Sequence, residues 1–259
     1  MYCATLAVED LRREGLPAEA LSTGGNPNKQ RTSKPSGVVC HTPGGAFAAK
    51  ALQRAEDLNR NGAPTPIEID RMAATLFDVA VYQPGYLIGT SGTVFQLDVD
   101  FKRTQHSGML ATECPGGNVY AKGTWREWSK PLGGSWQQHG RPGHVVYDWW
   151  DAAFPGLAGP LEAFPWGRYP NDAIGIDLLP DPTHGGAFNE AQVEAFVALV
   201  RLLSEAHGFR ISKSTVTTHS LASPCERGGL IRGGKVIGVH WDPPAGWNFP
   251  RVLAQLGAR

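Results

Sequence analysis

The chain has 259 residues, enough for one sizeable core with insertions. Its 24 Lys plus Arg balance 24 Asp plus Glu, so no global field draws it to nucleic acid or an anionic membrane. No run of about 18 or more apolar residues occurs, and no membrane insertion is expected.

Four Cys are too few and too widely spaced for a disulfide scaffold, and no C-x-x-C pattern suggests a structural zinc finger. Residues 1–11 lack a basic region followed by an apolar stretch, so no ordinary secretory signal is expected.

In chain order, residues 1–36 read as an N-terminal extension: a short helix over 8–21, then a polar stretch rich in Gly, Asn, Lys and Ser. Val38-Val39-Cys40-His41-Thr42 is a β-branched run ending in a His, as when a buried strand delivers a side chain at its carboxyl end. Cys40 itself reads as a small core hydrophobe. Ala, Leu and charged residues predict a helix over 46–61, and Met72, Leu76 and Val79 at helical spacing predict another over 67–81.

Residues 109–170 hold Trp125, Trp128, Trp136, Trp149, Trp150 and Trp166 among many Gly and Pro. That composition suits either an insertion packed by its own aromatics or a wall of a substrate groove. Farther on, Asn189 and Gln192 have capping-box spacing, and Val193, Phe196, Val197, Val200 and Leu203 form one apolar stripe. Val216-Thr217-Thr218-His219 repeats the pattern of a β-branched run ending in His. Leu230 to Val239 has hairpin turn chemistry at Gly233-Gly234 and reads as an inserted ribbon, and a helix over 247–256 closes the chain.

His41, His219 and the Asp of His240-Trp241-Asp242-Pro243 could meet on one metal. Two His and one Asp leave a tetrahedral zinc one open position, the arrangement of a hydrolytic site and not of a structural one.

Taken together these segments resemble the zinc-dependent N-acetylmuramoyl-L-alanine amidases of type 2, the superfamily that includes the peptidoglycan recognition proteins. Val38 to Thr42 is similar to the family's first strand with its His ligand, and Gly85 to Leu97 to its hairpin. Thr104-Gln105-His106-Ser107-Gly108 resembles a segment lining the substrate groove, and Asn171 to Leu178 the central strand with its catalytic acid. Thr218-His219-Ser220 and His240-Trp241-Asp242-Pro243-Pro244 with Trp247 resemble the second ligand and the closing element.

The resemblance implies an α/β fold: a mixed central sheet with strands near 37–41, 86–90, 93–97, 173–179 and 214–219, helices on its faces, and an amidase domain over 37–259 carrying the insertion 109–170. It implies Zn2+ held by His41, His219 and Asp242, and Asp177 as general base. His240, with Tyr86, would stabilise the oxyanion, and His106 and Thr42 would contact substrate. Peptidoglycan is the implied substrate. Phage lysis, or injection as an antibacterial effector with its own immunity or delivery protein, would bring such an enzyme to a cell wall.

The chain departs from the family at three places. His219 and Asp242 are farther apart than usual, which keeps Cys225 open as the third ligand. His240 stands where a Lys is common, and Asp177 where Glu is. A peptidoglycan-binding module without catalysis and a zinc peptidase cutting within the stem peptide are the rival readings.

Overall fold

The computed structural model describes residues 6–21, 34–43, 45–59, 62–78, 84–97, 173–184, 187–212, 215–219, 228–232, 235–239, 247 and 249–257. The elements are α1 (Val8–Arg13), β1 (Ala18–Ala20), β2 (Gly37–His41), α2 (Gly45–Leu58), α3 (Pro66–Asp78), β3 (Tyr86–Ile88), β4 (Val94–Gln96), β5 (Ala173–Leu178), α4 (Glu190–His207), β6 (Val216–Thr218), β7 (Gly228–Arg232), β8 (Lys235–Val239) and α5 (Phe249–Leu256). Expected insertion 109–170 lies outside the described residues.

Among the described residues, six strands form one sheet in the order β1-β4-β3-β5-β2-β6. β3 and β4 are antiparallel and the other neighbours are parallel, so the sheet is mixed, as expected. β2 and β5 are buried at every residue and read as short continuous apolar runs, the signature of strands covered on both faces. β7 and β8 form a separate antiparallel ribbon with Arg232 opposite Lys235, and the expected turn at Gly233-Gly234 lies outside the described residues.

Alternate residues of the strands feed two cores. Leu87, Phe95, Leu97 and Leu179 pack with α2 and α3, where Phe47 and Phe77 stack at 4.4 Å between ring centroids. Val38, Cys40, Tyr86, Ile88, Ile174, Ile176 and Leu178 pack with α1, α4 and α5. The result is three layers, helices on both faces of one mixed sheet.

The longest helix, α4, forms where its sequence carries both signals. Asn189 accepts from the Gln192 N–H at 3.1 Å and Gln192 accepts from the Asn189 N–H at 3.2 Å, closing the expected capping box. Phe196, Leu199, Val200 and Leu203 are fully buried on one stripe, each stabilising the fold by about 1.5–3 kcal/mol. Gly208 ends the helix at φ 73°, in the left-handed region that residues with a Cβ avoid.

The N-terminal helix is shorter than the expected 8–21. It stops at Arg13 because Gly15 turns left-handed at φ 83° and Pro17 has no N–H to give. The chain then runs extended, and Ala18–Ala20 pairs in parallel with β4. Leu6, Val8, Leu11, Leu16 and Ala18 share the core of residues beyond 37, so this segment packs with the sheet. Arg71 on α3 holds Glu19 through two nitrogens at 2.6–3.1 Å, and that guanidinium is the main cause of a Glu19 carboxyl below its usual range.

The turn after β3 is clamped from α3. Asp70, fully buried, accepts from the Thr90 N–H at 2.8 Å, the Thr90 hydroxyl at 3.0 Å and the Ser91 N–H at 2.8 Å. Gly89 is required beneath it, since a Cβ there would land on the Asp70 carboxylate. Gly89→Ala is therefore expected to lower stability by about 1–3 kcal/mol through overpacking, read as a fall in the urea midpoint at unchanged slope. An unchanged midpoint would show that the turn and α3 can part at little cost. Among the described residues no helix is long and apolar enough to cross a membrane.

Candidate metal centre

The connections leaving β2 and β5 diverge. β2 runs into α2 on one face of the sheet, and β5, its neighbour, runs through residues 179–188 into α4 on the other. Where the connections of adjacent parallel strands diverge in this way, the region beyond their carboxyl ends is the usual ligand site of open α/β sheets. His41 is the last residue of β2, and its register partner is Asp177, the penultimate residue of β5.

β6 brings the second imidazole. Thr218 is paired with Cys40, so His219 follows beside His41. The two rings lie edge to face, 4.5 Å between centroids and inclined by 65°. His41 is 5 % exposed, His219 2 % and Asp177 7 %, a buried polar trio at the carboxyl ends of three adjacent strands.

This donor set fits part of a zinc site. Tetrahedral nitrogen ligands about 2.0–2.1 Å from zinc lie about 3.3 Å from each other, a spacing that rings 4.5 Å apart can meet. Among the described residues no three of His, Cys, Asp and Glu form a group that could hold a metal. Asp242 and Cys225, the alternatives for that ligand, lie outside the described residues, as do His240 and His106.

Thr42 follows β2 directly and is half-buried. Tyr86 is elsewhere. It pairs with Ile176 and not with Asp177, so the pleat sends it to the opposite face, where it joins the α4 core fully buried. Its hydroxyl accepts from Gln96 Nε2 at 3.3 Å. The structure thus brings together His41, His219 and Asp177, with Thr42 beside them, and separates Tyr86 from the three.

Leu87, not Tyr86, is the β3 residue next to Asp177. Gln192 and Asp70 hold partners that their local sequence does not announce. Gln192 is legible as a helix cap, but its side chain also donates to Leu179 O at 2.8 Å and Ile88 O at 3.5 Å, at the carboxyl ends of β5 and β3. Asp70 carries no local signal in a helix with many charged residues, and its role comes from the turn it meets.

No protein-family model matches the chain, and no curated protein matches it. Among solved structures it is similar to the endolysin N-acetylmuramoyl-L-alanine amidase LysCS from Clostridium intestinale URNW, with 13 % identity over 94 % of this chain and 98 % of that one and a TM-score of 0.39. It is also similar to a selenomethionine derivative of AmpD, with 15 % identity over 91 % of this chain and 98 % of that one and a TM-score of 0.40.

Proposed function

We propose that this protein is a zinc-dependent peptidoglycan amidase, hydrolysing the amide between the lactyl group of N-acetylmuramic acid and the L-alanine of the stem peptide. The observation that carries the reading is the buried His41–His219 pair at the carboxyl ends of adjacent strands, with Asp177 across the β2–β5 ladder. Support for the substrate comes from the ordered sequence motifs that resemble type 2 amidases.

His41 and His219 would hold the zinc together with Asp242. When bound, zinc polarises the scissile carbonyl and makes water a competent nucleophile near neutral pH. Asp177 takes the proton from the attacking water and returns one to the departing nitrogen of L-alanine, so that the amide and water become a carboxylate and an amine. Burial among apolar strands gives that carboxylate few alternative positions. His240 would donate to the oxyanion of the tetrahedral intermediate, while Thr42 and His106 would contact the substrate. Tyr86, on the far face, leaves the oxyanion to His240.

Mass analysis of digested sacculi tests the reading: lactyl-terminated glycan and free L-alanine amino termini are expected. New termini within the stem peptide would make the protein a peptidase instead. Binding without cleavage would make it a recognition module.

The third ligand has its own test. Asp242→Ala is expected to abolish zinc binding, whereas Cys225→Ser should leave about one zinc per chain, measured by metal analysis after dialysis. The reverse pattern would assign the ligand to Cys225.

A further inference from the structure

The two ladders that hold β5 end at different points. Pairing with β2 stops at His41 opposite Asp177, whereas pairing with β3 continues to Ile88 opposite Leu178. The Leu179 N–H then donates to Ile88 O at 2.9 Å. The ladder to β3 thus runs one register position farther along β5 than the ladder to β2.

Gln192 meets the chain at that point. Fully buried in the first turn of α4, it gives its amide N–H groups to Leu179 O and Ile88 O, at 2.8 and 3.5 Å, while its carbonyl stays in the α4 capping box. One side chain thus binds the start of a helix to the ends of two strands. Leu179 lies two residues beyond Asp177 and, by the pleat, on the same face.

We propose that Gln192 is a positioning residue for Asp177, its amide fixing the carboxyl end of β5 and with it the aim of the Asp177 carboxylate toward the imidazole pair. The proposal rests on the amidase reading only for its kinetic consequence. A helix cap alone needs an acceptor at this position, which Glu supplies as well as Gln. Holding two strand carbonyls needs donors, which ionised Glu lacks.

Three variants separate these roles. Gln192→Met keeps the length of the side chain without either function, and Gln192→Glu keeps the cap acceptor and loses the donors. Asn189→Ala removes the cap and leaves the donors. Both Gln192 variants are expected to lower kcat about tenfold or more, since displacement of a reacting group by about 1 Å can cost up to about a hundredfold. Their KM and zinc content should stay at the wild-type values. Asn189→Ala should lower the melting temperature and keep kcat.

Amide hydrogen exchange at Leu179 supplies a readout independent of the reaction. It should accelerate in Gln192→Met and stay at the wild-type rate in Asn189→Ala. Wild-type kcat in Gln192→Met, or a kcat loss in Asn189→Ala that matches it, would overturn the proposal, as would unaltered Leu179 exchange in Gln192→Met. An inactive wild-type chain with accelerated Leu179 exchange in Gln192→Met would leave the structural tie standing and remove the amidase reading instead.

Discussion

His41→Ala and His219→Ala are each expected to lose the zinc and, with it, all measurable hydrolysis of peptidoglycan. The loss should exceed the roughly 10–100-fold that changes to residues supporting a metal ligand cost, because a bidentate protein site cannot hold the ion against dialysis as three ligands can. Both variants should still fold. Each removes one polar ring from the carboxyl end of the sheet, while Val38, Val39 and Val216 keep the strands buried. Metal content by mass spectrometry, with circular dichroism on the same samples, checks both halves of the expectation. Full zinc occupancy in either variant would sink the metal reading at its root.

Asp177→Asn is the sharper test of mechanism. Asn keeps the shape of Asp177 and its place in the β5 ladder, yet cannot accept a proton at working pH, so turnover should fall by roughly a hundredfold or more while zinc and fold persist. Because Asp177 is proposed as the base and not as a ligand, metal loss is not expected to accompany the change. Near-normal turnover would remove Asp177 from the chemistry and shift the proton transfer to His240.

The features legible in sequence were those written locally. The β-branched runs before His41 and His219 are strands because such side chains fit a pleated, buried surface, and the structure places both rings together. The Asn189–Gln192 cap and the β7–β8 ribbon were readable for the same reason, since turn and cap chemistry involves residues three or four apart.

What escaped depends on partners distant in sequence. Ala18-Glu19-Ala20 favours helix by propensity and becomes a strand only because β4 offers a ladder. The direction of Tyr86 is set by register: one residue of slip would exchange it with Leu87, and no local pattern fixes which of the two faces Asp177. Gln192 looked like a cap and is one, but its hold on Leu179 and Ile88 exists only after α4 has docked.

The three-residue strand at the border of the sheet also bears on how the molecule behaves in crowded solution. Without Ala18–Ala20, the backbone of Val94-Phe95-Gln96 would present one row of amides and carbonyls as a template for another chain. β1 occupies that template and offers little in return, since it is short and carries a carboxylate committed to Arg71. Residues 18–20 thus cover a strand edge that would otherwise stand open to another chain.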